Sequence, residues 1–293
     1  PGAMSVPFFA KRNGDWIRAT PACDGESLYV AGMRDVLACL DVRDGAVRWR
    51  VDFPERLGTP VPAFGFVCSP LVVDEHVYTQ AGAAFVKLDR RSGEVVWRAL
   101  IDRGGMDSAF SSPIMTTLHG VPQILVQTRE KLAGVRPETG EVLWSQVVPA
   151  FRGMNILTPT VYRDGVFTSS YKNRTFFYEV ARDEQRFTVR EAWSLGAQGY
   201  MSSPVIIGDH AYMHLGNGRF CCIDLASGRE VWRTSSFGQY WSMVASGDRI
   251  LALDQRGELL LIAADPAEFR LLDRQKISEE ETWAHLAVCG DEV

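Results

Sequence analysis

The chain has 293 residues, with 31 Lys and Arg against 36 Asp and Glu, giving a formal net charge of −5. It carries no run of basic residues, so it lacks the electrostatic footprint of a nucleic-acid binder; its 46% hydrophobic and 23% charged content is that of a packed protein rather than a disordered one. The longest apolar stretch, LLLIAA at 259–264, is far shorter than the ~20 residues needed to cross a bilayer as a helix.

From the N-terminus, PGAM at 1–4 reads as an expression scar, and no basic segment followed by an apolar one marks a leader. Thereafter a phrase recurs: LDVRDGAVRW, LDRRSGEVVW, VRPETGEVLW and IDLASGREVW each place a Gly four residues before a Trp. Trp49, Trp97, Trp144, Trp193 and Trp232 fall in register at intervals in the high thirties to high forties, the mark of a radially repeated β-sheet protein. In the clearest copy SSPVIIGD, HAYMHLG, RFCCIDL and REVWRTSS are four short strands, separated by Gly208-Asp209, Gly216-Asn217-Gly218 and Ser227-Gly228. The other copies begin near Thr20, Cys68, Ser111, Thr158 and Trp241, and TWAHLAVCGDEV opens a further unit. The expectation is one all-β domain over 1–293, a β-propeller of four-stranded antiparallel blades. Seven blades are preferred, the last incomplete or shared with SVPFFAK near the N-terminus, with six or eight as alternatives.

The recurring residues have structural work to do. Asp41, Asp89 and Asp224 stand before a tight turn whose amides a carboxylate can accept. Gly45, Gly93, Gly140 and Gly228 supply positive φ, and each Trp is expected to wedge against the neighbouring blade. Unit four (EVARDEQRFTVREAW) has a longer charged hairpin without Gly, and unit six has Leu272 in the Trp position; repeat drift accounts for both. Cys39 and Cys222 occupy the slot two residues before the Asp, where unit three has Gly134, suggesting a cramped position and free thiols.

PETGEVLW is the best match to A-x-D-x-x-T-G-x-x-x-W, and on this motif nearly the whole chain resembles the pyrroloquinoline-quinone-like (PQQ-like) propeller repeat. It is most similar to the small bacterial members, including the outer-membrane assembly scaffold type, rather than to the larger quinoprotein dehydrogenases. That resemblance implies a periplasmic or cell-envelope location, although the unpaired thiols sit slightly against an oxidising milieu and leave a cytoplasmic one open. The dehydrogenases use a disulfide between adjacent cysteines, a calcium ion, an Asp base and a Trp floor. Cys221-Cys222 is the tempting counterpart, but strand neighbours point to opposite faces, and no carboxylates show calcium-loop spacing. PQQ with calcium is therefore the weaker alternative to no cofactor.

The loops leading into the first strand of each unit converge at the mouth of a propeller's channel. They carry the aromatic Phe64 and supply Phe66, Phe110, Arg152, Asn155, Tyr200, Tyr240, Trp241, Trp283 and His285 as candidate ligand-binding residues. No catalytic residue and no metal site is assigned: His76, His119, His210 and His214 show no zinc spacing, and repeated Ser-Ser-Pro is a packing solution rather than a nucleophile. The reading is a monomeric, non-catalytic propeller presenting its mouth to a protein, peptide or glycan. The alternative is an enzyme at that mouth, either a quinone-dependent oxidoreductase or a lyase or hydrolase using His285, Tyr200 and Arg152. A sensor or assembly module cut from a longer chain is a third possibility.

Overall fold

The computed structural model describes residues 17–102, 109–184, 186–283 and 285–287. Six four-stranded antiparallel sheets form among them, each a meander in chain order. The chain is an all-β propeller with six blades in the described residues, the smaller of the alternative counts rather than the preferred seven. Residues 282, 283 and 285–287, where a further unit was expected to begin, carry no strand; SVPFFAK lies outside the described residues, as does PGAM.

The chain divides into two compact units, 1–155 with 182–188, and 156–181 with 189–293. In the first unit, blade one comprises Ala22–Cys23, Ser27–Gly32, Val36–Asp41 and Val47–Asp52; blade two Leu71–Val73, His76–Ala81, Ala84–Asp89 and Val95–Ala99; blade three Ile114–Leu118, Val121–Gln127, Lys131–Val135 and Val142–Val147. In the second, apart from 182–188 of its outer hairpin, blade four comprises Thr160–Tyr162, Gly165–Ser169, Thr175–Asp183 and Arg186–Leu195; blade five Val205–Ile207, His210–His214, Arg219–Asp224 and Glu230–Ser236; blade six Trp241–Ser246, Arg249–Asp254, Glu258–Ala263 and Arg270–Lys276.

The second and third strands are apolar on both faces because each blade packs against a neighbour. Tyr29 and Leu37 of blade one share a core with Val77 and Val86 of blade two, and Tyr78 and Phe85 of blade two share one with Ile124 and Val126 of blade three. Phe167 and Phe177 of blade four meet Met213 and Ile223 of blade five, and Tyr212 and Phe220 of blade five meet Ile250 and Leu260 of blade six.

The tryptophans cross these cores. Trp49 Nε1 donates to the carbonyl of Arg90 (2.8 Å), Trp97 to Pro137 (3.1 Å), Trp193 to Leu225 (2.9 Å) and Trp232 to Asp265 (3.0 Å), each on the outer hairpin of the next blade. The repeat glycines are the seats for these rings. A Cβ would come to 2.7 Å from the Trp49 ring at Gly93, 2.9 Å from Trp97 at Gly140 and 2.5 Å from Trp193 at Gly228. Their φ values of 72°, 77° and 71° exclude side chains a second time. In blades two and five the spacing Gly-x-x-x-Trp thus joins a blade to both neighbours: its Gly receives one tryptophan, and its own Trp reaches the next hairpin, whereas Gly45 of blade one has no ring within 4 Å.

Trp144 departs from this pattern, donating to Gln123 Oε1 of its own blade at 2.6 Å. Gly134, the cross-strand partner of Trp144, leaves the room: a Cβ there would lie 2.1 Å from Gln123 Oε1 and 2.3 Å from Trp144 Nε1. The slot is not uniformly cramped, as the sequence suggested. In blade two it holds Lys87, opposite Trp97, whose ammonium runs out to the Pro137 carbonyl (2.9 Å).

A second interblade tie runs through the Ser-Pro segments. Ser69 Oγ accepts from the amide of Thr20 (3.0 Å), Ser112 Oγ from Ser69 (3.0 Å) and Ser203 Oγ from Thr158 (3.2 Å), so each hydroxyl caps an amide of the preceding blade. The turn carboxylates behave as expected: Asp89 Oδ1 accepts from the amides of Arg91 and Ser92, and Asp224 Oδ1 from that of Ser227. These donors, with the Ser92 and Ser227 hydroxyls, hold both carboxyls below their ordinary range. Cys221 and Cys222 are free and buried, and they enter different cores, Cys221 that between blades four and five and Cys222 that between five and six.

Candidate functional site

In the second unit the structure brings three of the candidate side chains into one row. Tyr200 and Tyr240 have ring centroids 6.0 Å apart, and Tyr240 and Trp283 only 4.1 Å. Tyr171, which the sequence reading missed, extends the row to Tyr200 at 5.9 Å. Its position in a Tyr-Lys-Asn turn resembles any solvated loop, so no pattern in the chain singles it out.

The row is built from loops that other contacts hold. Gln239 Nε2 donates to the Tyr200 hydroxyl (2.9 Å), while its own amide donates to Gln255 Oε1 (2.7 Å). Gln255 Nε2 in turn donates to Glu281 (2.7 Å), whose other oxygen accepts from Trp283 Nε1 (3.2 Å). Trp283 remains 51% exposed, a large apolar surface held in place yet open. Burial, together with the adjacent Tyr200 hydroxyl and the Glu281 carboxylate, pushes the Tyr240 phenol above its ordinary range, so it stays a neutral hydrogen-bonding group. His285 is exposed nearby in sequence, on the segment that the Leu286 amide ties to Ser242 Oγ (3.2 Å).

Trp241 faces the other way. It is 5% exposed and packs on His214 at 5.2 Å and 7° between planes, with Phe220 and Phe237 also at 5.2 Å. His214 Nε2 donates to the Gly238 carbonyl (3.0 Å), and burial pushes this imidazole down to about 4, keeping it neutral. Trp241 therefore supports the loop that carries Tyr240 from beneath.

The first-unit candidates are dispersed. Phe64 and Phe110 are paired at 5.6 Å. Phe66 is 2% exposed, against Phe53 at 6.4 Å, on the wall of a small cavity. Arg152 is exposed, at φ 55°, with its guanidinium over the Phe151 ring (5.3 Å). Asn155 is 1% exposed, and its Nδ2 donates to the carbonyls of Thr128, Arg129 and Val148 at 3.1, 3.2 and 3.1 Å. It ties the loop at the end of blade three, leaving Oδ1 without a partner. Among the described residues no three His, Cys, Asp or Glu side chains are arranged to hold a metal ion, and no helix is long and apolar enough to cross a membrane.

Blades joined by Gly-x-x-x-Trp define the class: a PQQ-like β-propeller with aromatic loops at the starts of its blades. The family described as outer membrane protein assembly factor BamB matches residues 8–234, and the chain belongs to that family. A relative, the outer membrane protein assembly factor BamB of Yersinia pestis, is 21% identical over 257 residues, 84% of this chain. The chain spans 63% of the length of that relative. The crystal structure of BamB from Moraxella catarrhalis superposes with a TM-score of 0.67 at 17% identity, over 90% of this chain and 77% of that one.

Proposed function

We propose that this chain is a binding propeller of outer membrane protein assembly, presenting Tyr171, Tyr200, Tyr240 and Trp283 to a polypeptide partner at the cell envelope and carrying out no chemistry itself. The observation that carries this reading is the aromatic row on braced loops, half-buried at its three tyrosines and exposed at Trp283. Three phenols and an indole offer stacking area and polar edges at low entropic cost, the composition that dominates protein-binding hot spots. The family membership supports the setting, since relatives bear the name of an assembly factor.

The residues present do not fit the quinone chemistry of the larger PQQ-like enzymes. Cys221 and Cys222 project into separate cores on opposite faces of their strand, and the Cys221 thiol is raised by burial out of the range where it would react.

The test is site-specific photocrosslinking in the cells that make the protein. A probe at position 283 is expected to join the chain to an envelope polypeptide, and one at exposed Arg91, on the outer hairpin of blade two, is not. Equal adducts from both positions, or none from 283, would refute the reading.

A further inference from the structure

The first unit contains a cavity of about 50 Å3 whose boundary includes Asp35, Pro60, Phe66, Gln80, Leu100 and Asp102. We propose that this cavity receives the side chain of a lysine presented by a polypeptide partner, its ammonium meeting Asp35 and its methylenes lying along the apolar wall.

Asp35 is 1% exposed and sits at φ 61°, its carbonyl accepting from the Phe53 amide (3.1 Å). Its carboxylate takes one hydrogen bond, from the Gly82 amide (2.8 Å). Among the described residues no lysine or arginine bonds to it. A buried carboxylate has room for about four donors and is costly to hold ionised without a cation. Arg129 on the cavity wall is engaged by Asp102 at 2.7 Å, so among the described residues the wall carries two carboxylates and one cation.

The occupant follows from size and chemistry. The cavity has room for roughly three or four waters, which suits an ammonium with a short alkyl stem. A hard divalent cation takes six or more oxygens, and the side chains of Pro60, Phe66 and Leu100 supply none. A guanidinium is a broad planar fork that takes two acceptor oxygens side by side, a larger group than an ammonium for a cavity of about 50 Å3.

Burial, and secondarily the Asp52 carboxylate, push Asp35 up to about 7, against the hydrogen bond from Gly82. The titratable and charged groups around it are Asp52 from the end of blade one, the buried Cys68 thiol, and Asp102 and Arg129 on the cavity wall. An incoming ammonium selects the ionised form and displaces a proton. Binding is therefore expected to be about tenfold tighter at pH 8 than at pH 6.

The proposal stands apart from the aromatic row, and its test reads Asp35 alone. The chain, labelled with 13C at aspartate carboxyls, is titrated with the peptide acetyl-Gly-Gly-Lys-Gly-Gly-amide, with the same peptide carrying norleucine for lysine, and with n-butylammonium. The resonance lost in Asp35→Asn identifies the carboxyl. The lysine peptide is expected to shift it, tenfold more tightly at pH 8 than at pH 6, with the norleucine peptide at least tenfold weaker at pH 8. Equal effects of the two peptides overturn the proposal without recourse to any variant. A shift by n-butylammonium with none by the lysine peptide overturns the assignment to a polypeptide.

Discussion

The two units use the same joints and expose different chemistry. Each has three blades and two tryptophan ties, Trp49 and Trp97 in the first, Trp193 and Trp232 in the second, and each ends on a blade that departs from the pattern. Trp144 turns back on Gln123, and blade six has Leu272 in the Trp position. The loops at the blade starts differ outright. In the first unit they enclose an under-bonded carboxylate at Asp35; in the second they hold Tyr200, Tyr240 and Trp283 in an open row. Cohesion is set by hairpins that repeat, and recognition by loops that do not, so loop chemistry can diverge at little cost to the framework.

The largest effect expected from breaking this parallel is at a tie. Trp49→Ala removes a 9% exposed indole and its bond to Arg90, and should cost about 3–5 kcal/mol in urea unfolding. A cost below about 1 kcal/mol would show that the ties are ornamental.

Next comes the pH dependence that separates the units. The folded Asp35 carboxyl, at about 7, lies above its ordinary 3.8, so its stabilising protonated state is fully present below the lower value and lost as pH rises through the upper one. From pH 5 to 8 the wild type should lose about 2–3 kcal/mol relative to Asp35→Asn. Parallel curves for the two proteins would remove the buried carboxylate from the argument.

Gly134→Ala places a methyl against Gln123 and Trp144 and should cost about 1–3 kcal/mol. If instead it is neutral, the turned-back indole is free to relax and blade three is not built around it. The smallest effect is at the serine tie, where Ser112→Ala leaves the Ser69 amide uncapped and should cost about 1 kcal/mol; calorimetry showing no change in Tm would mean that water replaces the hydroxyl.

The framework could be read from the chain because its signals are local. Turn residues at Asp89 and Gly93, the strand pattern of HAYMH, and tryptophans at a constant offset each need only a few neighbours in sequence to be recognised. The aromatic loops were visible too, since FGFVCSP and QYWSM precede predicted first strands. What they would face was not. Tyr240 and Trp241 are adjacent, yet one joins the row and the other stacks on His214, an outcome decided by blade five and the segment after blade six.

The sequence by itself determined the unit of construction: four strands, a glycine hairpin, a tryptophan and its repetition, because these are properties of short stretches of backbone. Only the tertiary structure decided that Gly93, Gly140 and Gly228 each seat the tryptophan of the blade before, that Trp144 folds home and that Asp35 lies buried beside Gly82. Those outcomes depend on packing between segments some 20 to 50 residues apart, where distance and burial, absent from a linear pattern, set the energy.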